Sequence, residues 1–190
     1  MEFVCRDPNA EVRAASAGAI LDAFKQIPGF GEKLVARHRF DLGGMTPESF
    51  VPMQWWLDAL KEVQTRVGTA MMREVGTRIV QNAHFPPTYG GADAILLALD
   101  DIYHLNHRGE VGHYVSSRAP DGVVIVRCET PYPRHFEWGL IEGICRNKAV
   151  GGRKFAVDFE PGPADGDRTC TVTVHWPDPV SGQWRKAPAP

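Results

Sequence analysis

The chain has 190 residues, 43% of them hydrophobic, and a formal net charge of -2 at neutral pH, enough apolar material for a core without disulfide or metal staples. That charge excludes the global basic field that attracts nucleic acid, and the dense basic cluster is confined to Arg37-His38-Arg39. Apolar runs such as Ala94–Leu99 are far too short for a membrane span, and the opening MEFVCRDPNA has neither a basic start nor an apolar signal core, so a cytoplasmic protein is expected.

Asp7-Pro8 is a helix-start signal, and Val12, Ala15, Ala19, Ile20, Ala23 and Phe24 keep helical spacing up to the stop at Pro28-Gly29. Residues 31–40 read as a short helical piece, and Thr46-Pro47-Glu48 is a further start signal. The clearest helix covers 52–67, where Met53, Trp56, Leu57, Leu60, Val63 and Val67 form one stripe, Trp55 flanks it and Gly68 supplies the stop. Met72, Val75 and Ile79 continue a helix over 69–83, until Pro86-Pro87 and Gly90-Gly91 impose a loop. Ile95, Ala98, Leu99 and Ile102 predict one helix over 92–109.

Beyond residue 110 the hydrophobic period falls to two. Residues 112–118 and 123–129 form a hairpin about Ala119-Pro120-Asp121-Gly122. Helical spacing returns over 134–147 through Phe136, Leu140, Ile141 and Ile144, and a second hairpin joins 154–160 to 168–176. The fold class is therefore α+β: N-terminal helices packed on a four-stranded or larger antiparallel sheet, made from two hairpins separated by a helix. A single domain is expected over 1–176, helical to about 110 and helix-hairpin over about 111–176, with a loose Pro-rich tail at 177–190.

No phosphate-binding loop, G-x-S-x-G elbow, H-E-x-x-H pair or zinc-deaminase signature occurs, so catalysis is not expected. Cys5, Cys128, Cys145 and Cys170 form no C-x-x-C pair and read as free thiols packed as small hydrophobes. His104, His107 and His113, with Asp100 or Asp101 nearby, straddle a helix end and a strand start, where spacing alone specifies no metal site. Gly139 and Gly143 bare one helix face for close approach by a neighbour or ligand, helix-on-sheet packing being the simpler occupant. Tyr114-x-Ser116-x-Arg118 lines a phenol, a hydroxyl and a guanidinium along one strand face, which is either solvated or holds something anionic.

Four stretches, REVGTRI (73–79), ADAILLALDDIYH (92–104), GVVIVRCETPYPRHFEWGLIEGI (122–144) and FAVDFEPGPADGDRTCTVTVHW (155–176), carry a resemblance. Together the span from about 70 to 176 resembles the vinyl-reductase-type small-molecule-binding domain, related in fold to TRAPP vesicle-tethering subunits and to haem nitric-oxide/oxygen-binding domains. That family's late hairpin carries acid-x-Cys-x-x-x-Gly-Asp-x-x-Cys; Cys170 matches the last position, but 157–167 holds no thiol, which argues against a cysteine metal site. In the haem-binding relatives Tyr-x-Ser-x-Arg holds the propionates and a proximal His precedes it. Tyr114, Ser116 and Arg118 match that motif here, and His84 lies 30 residues before Tyr114.

The resemblance implies a non-catalytic small-molecule-binding or sensory domain with an apolar pocket between helices and sheet. Its walls are expected from Trp56, Leu60, Ile79, Leu99, Phe136 and Leu140, with Tyr114, Ser116 and Arg118 as polar anchors. One alternative is a haem-binding gas sensor with His84 on the iron; another is a dimeric interaction scaffold without ligand. The ligand is small and hydrophobic or anionic, and its cofactor is left open outside the haem alternative. A homodimer is expected through the helices at 52–67 and 69–83, with Trp55 at the interface.

Overall fold

The computed structural model describes residues 2–41, 43–83, 90–147, 154–163, 169–177, 181–182 and 184. In chain order, β1 (Glu11–Arg13) and a 3-10 turn at Ala14–Ser16 lead into α1 (Ala17–Ala23) and α2 (Phe30–Arg37). Next come β2 (Phe50–Pro52), α3 (Met53–Val67), α4 (Thr69–Asn82), α5 (Ala92–Leu97), α6 (Leu99–Asn106) and β3 (His107–Arg108). The remainder is β4 (His113–Arg118), β5 (Val124–Glu129), α7 (Arg134–Arg146), β6 (Ala156–Pro161) and β7 (Cys170–His175).

The second half follows the expected α+β plan. Two hairpin-derived pairs merge into one antiparallel sheet of order β4-β5-β7-β6, with α7 between them in sequence. Register explains the burial: Val124, Val126 and Cys128 stand opposite Val174, Val172 and Cys170, and all six are inaccessible to water. Their neighbours Ile125, Arg127, Thr171 and Thr173 alternate to the outer face.

The N-terminal half corrects two expectations. Residues 8–24 are not one helix, because Val12 is captured in a small sheet of order β2-β1-β3, paired with Val51 on one side and His107 on the other. Burial of Val12 in that sheet outweighs the helical propensity of the alanines that follow. Asp7 accordingly caps no helix; its carboxylate accepts the backbone N–H groups of Asn9 and Glu110 in the loop before β1. The helix expected over 92–109 breaks at Ala98 (φ -98°, ψ 13°) into α5 and α6, and its last residues leave as β3.

The glycine face of α7 meets α4, not the sheet. A Cβ at Gly76 would lie 2.1 Å from the Phe136 carbonyl oxygen, one at Gly139 2.0 Å from that of Arg73, and one at Gly143 2.7 Å from that of Thr77. The two helices therefore touch backbone to backbone. Trp55 is half-buried, with the Arg39 guanidinium 5.4 Å from its ring centroid. No helix among the described residues is long and apolar enough to cross a membrane.

Candidate ligand site

β4 turns its three polar residues toward the helices. Tyr114 is 4% exposed while Val115 is 45% exposed, so the face carrying Tyr114, Ser116 and Arg118 is the inner one. The solvated reading of this face fails at Tyr114. Its hydroxyl donates to Glu137 Oε2 at 2.7 Å. Ser116 Oγ is buried without a hydrogen-bond partner among the described residues. Arg118 extends along the same face to the Asp93 carboxylate on α5, at 2.8 Å.

Glu137 is fully buried on the α7 stripe that also carries Ile141 and Ile144. Its other oxygen accepts the Thr130 hydroxyl. Burial pushes its carboxyl up to about 7, against the Thr130 and Tyr114 bonds, which favour the anion.

A second network lies alongside. His107 Nδ1 is 2.7 Å from the Tyr103 carbonyl oxygen and so donates to it, leaving Nε2 to accept the Tyr132 hydroxyl at 2.6 Å. This arrangement suits a neutral ring, and burial holds His107 down to about 3. Burial likewise raises Tyr103, Tyr114 and Tyr132 well above the usual phenol range. All three remain neutral donors, Tyr103 to the Val111 carbonyl at 2.7 Å. The Tyr103 ring meets Tyr114 edge-on at 5.1 Å and lies 4.0 Å from His107.

Between these networks is a cavity of about 40 Å³, bounded by α4, α6, α7 and β4. Of the residues expected as pocket walls and anchors, Ile79, Leu99, Tyr114, Phe136 and Leu140 line it. Trp56 and Leu60 do not; both are fully buried in the solid core, where the Trp56 ring packs edge-on against Phe40 and Phe136 at 6.3 and 6.2 Å. Ser116 and Arg118 stand further along β4, beyond the lining. His84 lies outside the described residues, and Ala83, which precedes it, lines the cavity. Sequence reasoning missed Glu137, Tyr103 and Tyr132, and weighed His107 only as one of three histidines near a helix end, not as a partner of Tyr132. For Glu137 a signal existed, since positions 137, 141 and 144 share one helix face.

The unionised hydroxyls around the cavity already spend their O–H on protein acceptors, so to whatever enters it they present lone pairs. The donor chemistry suits a carboxylate: an unpartnered buried hydroxyl at Ser116 and a guanidinium at Arg118 already holding the Asp93 carboxylate. The volume does not suit a macrocycle, because ligand pockets usually span about 300–1,000 Å³ and this one is about 40 Å³. A porphyrin therefore does not fit between α6 and β4 as they are packed here.

Helices packed on the inner face of a four-stranded antiparallel sheet match the fold of solved haem nitric-oxide/oxygen-binding (H-NOX) domains. The chain aligns with an H-NOX protein from S. oneidensis in the Fe(II)NO ligation state at a TM-score of 0.61 and 12% identity, over 85% of this chain and 97% of that one. It aligns with an oxygen-binding H-NOX domain related to soluble guanylate cyclases at a TM-score of 0.59 and 17% identity, over 92% of this chain and 100% of that one. A histidine-to-glycine variant of the SO2144 H-NOX domain from Shewanella oneidensis, in the Fe(II)CO state, gives 0.62 and 12% over 85% and 97%. At these identities the likeness establishes the fold. No family model and no curated protein sequence matches the chain.

Proposed function

We propose that this chain is a non-catalytic sensory domain that takes a small ligand between α4, α6, α7 and β4, with haem as the ligand its fold relatives support best. The observation that carries the reading is the inward Tyr114-x-Ser116-x-Arg118 face, on a fold shared with proteins solved in Fe(II)NO and Fe(II)CO states. Arg118 and Ser116 would hold carboxylates, and His84, next to the cavity-lining Ala83, is the candidate iron ligand. Haem held there would supply an iron able to bind a diatomic gas. The closed cavity sets a condition on this reading: a macrocycle enters only when α6 parts from β4.

The small cavity favours one competitor, a scaffold whose interior is filled by its own Tyr103 and Tyr132 rings. Thermal unfolding with haemin and with iron-free protoporphyrin separates the two. A ligand site raises the midpoint with ligand concentration, more for haemin than for the iron-free ring. No rise with either would leave the scaffold.

A further inference from the structure

We propose that Asp100, His104 and His113 form a binding site for a divalent transition metal of the zinc, nickel or copper class, which ties α6 to the start of β4. Each of the three offers one ligand atom, and those atoms lie within 4.8 Å of one another. Asp100 and His104 occupy the i and i+4 positions of α6, so they share a helix face, and His113 is the first residue of β4. The sequence alone does not join them; the packing of α6 on β4 does.

The distances suit a metal better than they suit direct ion pairs. His104 Nδ1 is 3.7 Å from Asp100 Oδ1, and His113 Nδ1 is 3.6 Å from Asp100 Oδ2, both too long for a hydrogen bond. Around zinc, with bonds of about 2.0–2.1 Å, neighbouring tetrahedral ligand atoms stand about 3.3 Å apart; each histidine–carboxylate separation exceeds this by only a few tenths of an ångström, and rotation of the exposed rings closes the widest separation among the three ligand atoms, which is at most 4.8 Å. The two imidazole rings already face each other at 5.3 Å between centroids.

The carboxylate is oriented from behind. Asp100 Oδ1 accepts the Tyr114 backbone N–H at 2.8 Å, an outer hydrogen bond of the kind that positions metal-ligating carboxylates. Coordination by His104 exchanges its present contact with the Asp100 carbonyl oxygen, 2.9 Å from Nδ1, for the metal. Side-chain exposures of 40%, 40% and 61% leave room for ring rotation and for water at the remaining coordination positions. Two imidazoles and one carboxylate suit borderline metals and disfavour magnesium or calcium, which prefer all-oxygen sets. His107, close in sequence, takes no part, because its ring is turned inward to Tyr132.

The test is titration of the untagged, chelator-treated full chain with Co²⁺ and Zn²⁺ near neutral pH. The expected result is saturable one-to-one binding, visible Co²⁺ absorption, and a thermal midpoint that rises with Zn²⁺. His104→Ala and His113→Ala should each weaken binding by at least about tenfold, while Asp101→Asn leaves it unchanged. Both histidines are exposed, so the variants should keep the parent circular dichroism spectrum. Absence of saturable binding, or equal affinity in the His104→Ala/His113→Ala double variant, would overturn the site. Neither arm involves haem, so the outcome is independent of the ligand reading above.

Discussion

The Tyr114 hydroxyl donates a 2.7 Å hydrogen bond to Oε2 of Glu137, tying the second residue of β4 to α7 where water does not reach. Both described donors to this carboxyl, Tyr114 and Thr130, are neutral hydroxyls. Desolvation therefore outweighs hydrogen bonding, and the group titrates near 7.

That shift sets a pH dependence with a definite sign. Glu137 rises from 4.5 unfolded to about 7 folded, so its contribution to stability is complete below 4.5 and is lost as pH rises through about 7. The full span is on the order of 3 kcal/mol. His107 acts oppositely: it falls from 6.5 to about 3, so its contribution is present above 6.5 and lost as pH falls through about 3. Between 4.5 and 6.5 the two slopes offset each other. Urea unfolding across this range should show Glu137→Gln gaining stability as pH rises from 4.5 to 6.5, the His107 slope now unopposed, where the parent stays level. A variant as level as the parent over that range would contradict the assignment.

Tyr114→Phe removes one of the two hydroxyls on the carboxyl. Above neutrality it should cost about 1–3 kcal/mol, because a buried acceptor loses its donor. It should also push the Glu137 carboxyl higher still, since the lost bond favours the anion. Carbon-13 NMR of the glutamate carboxyls measures that midpoint directly, and an unmoved midpoint would count against the contact.

The sheet was legible because its strands are six residues long and alternate cleanly, which puts Val124, Val126 and Cys128 on one face. The N-terminal sheet was not, because strands of three, three and two residues are too short to carry a period. The apolar stripe through Trp56 and Leu60 was equally visible, yet periodicity cannot say whether a buried face meets a cavity or other side chains. Here it meets Phe40 and Phe136. The glycines of α7 announced a close approach without naming α4, since nothing local distinguishes one backbone neighbour from another. Tyr114-x-Ser116-x-Arg118 declared a shared face; which side of the sheet it takes depends on α5 and α6 packing over it.

Gly139→Ala should be among the most damaging single methyl additions in the chain. Its Cβ would stand 2.0 Å from the Arg73 carbonyl oxygen, backbone that cannot turn aside. Overpacking of this kind typically costs about 1–3 kcal/mol, occasionally more. Gly90→Ala, with no described residue within 4 Å of its Cβ, is the control. Equal urea midpoints for the two variants would contradict the backbone contact between α4 and α7.

Asp93 competes with any anionic ligand for Arg118, whose guanidinium it holds at 2.8 Å. Asp93→Asn should therefore slow the loss of a carboxylate-bearing ligand to apomyoglobin. Arg118→Ala should speed it, by an amount corresponding to about 1.5–3 kcal/mol for a charge-assisted bond. Identical loss rates in both variants would remove Arg118 from the site.

The absorption spectrum of the full chain after incubation with haemin under reducing conditions tests the central claim most directly. A ligand site behind Tyr114, Ser116 and Arg118, with His84 on the iron, predicts a sharp Soret band from one haem per chain. In His84→Gly the band should vanish and return with added imidazole, because a free imidazole can replace the missing ring. A folded protein whose haemin spectrum stays that of the free cofactor, or a band indifferent to His84→Gly, would contradict it.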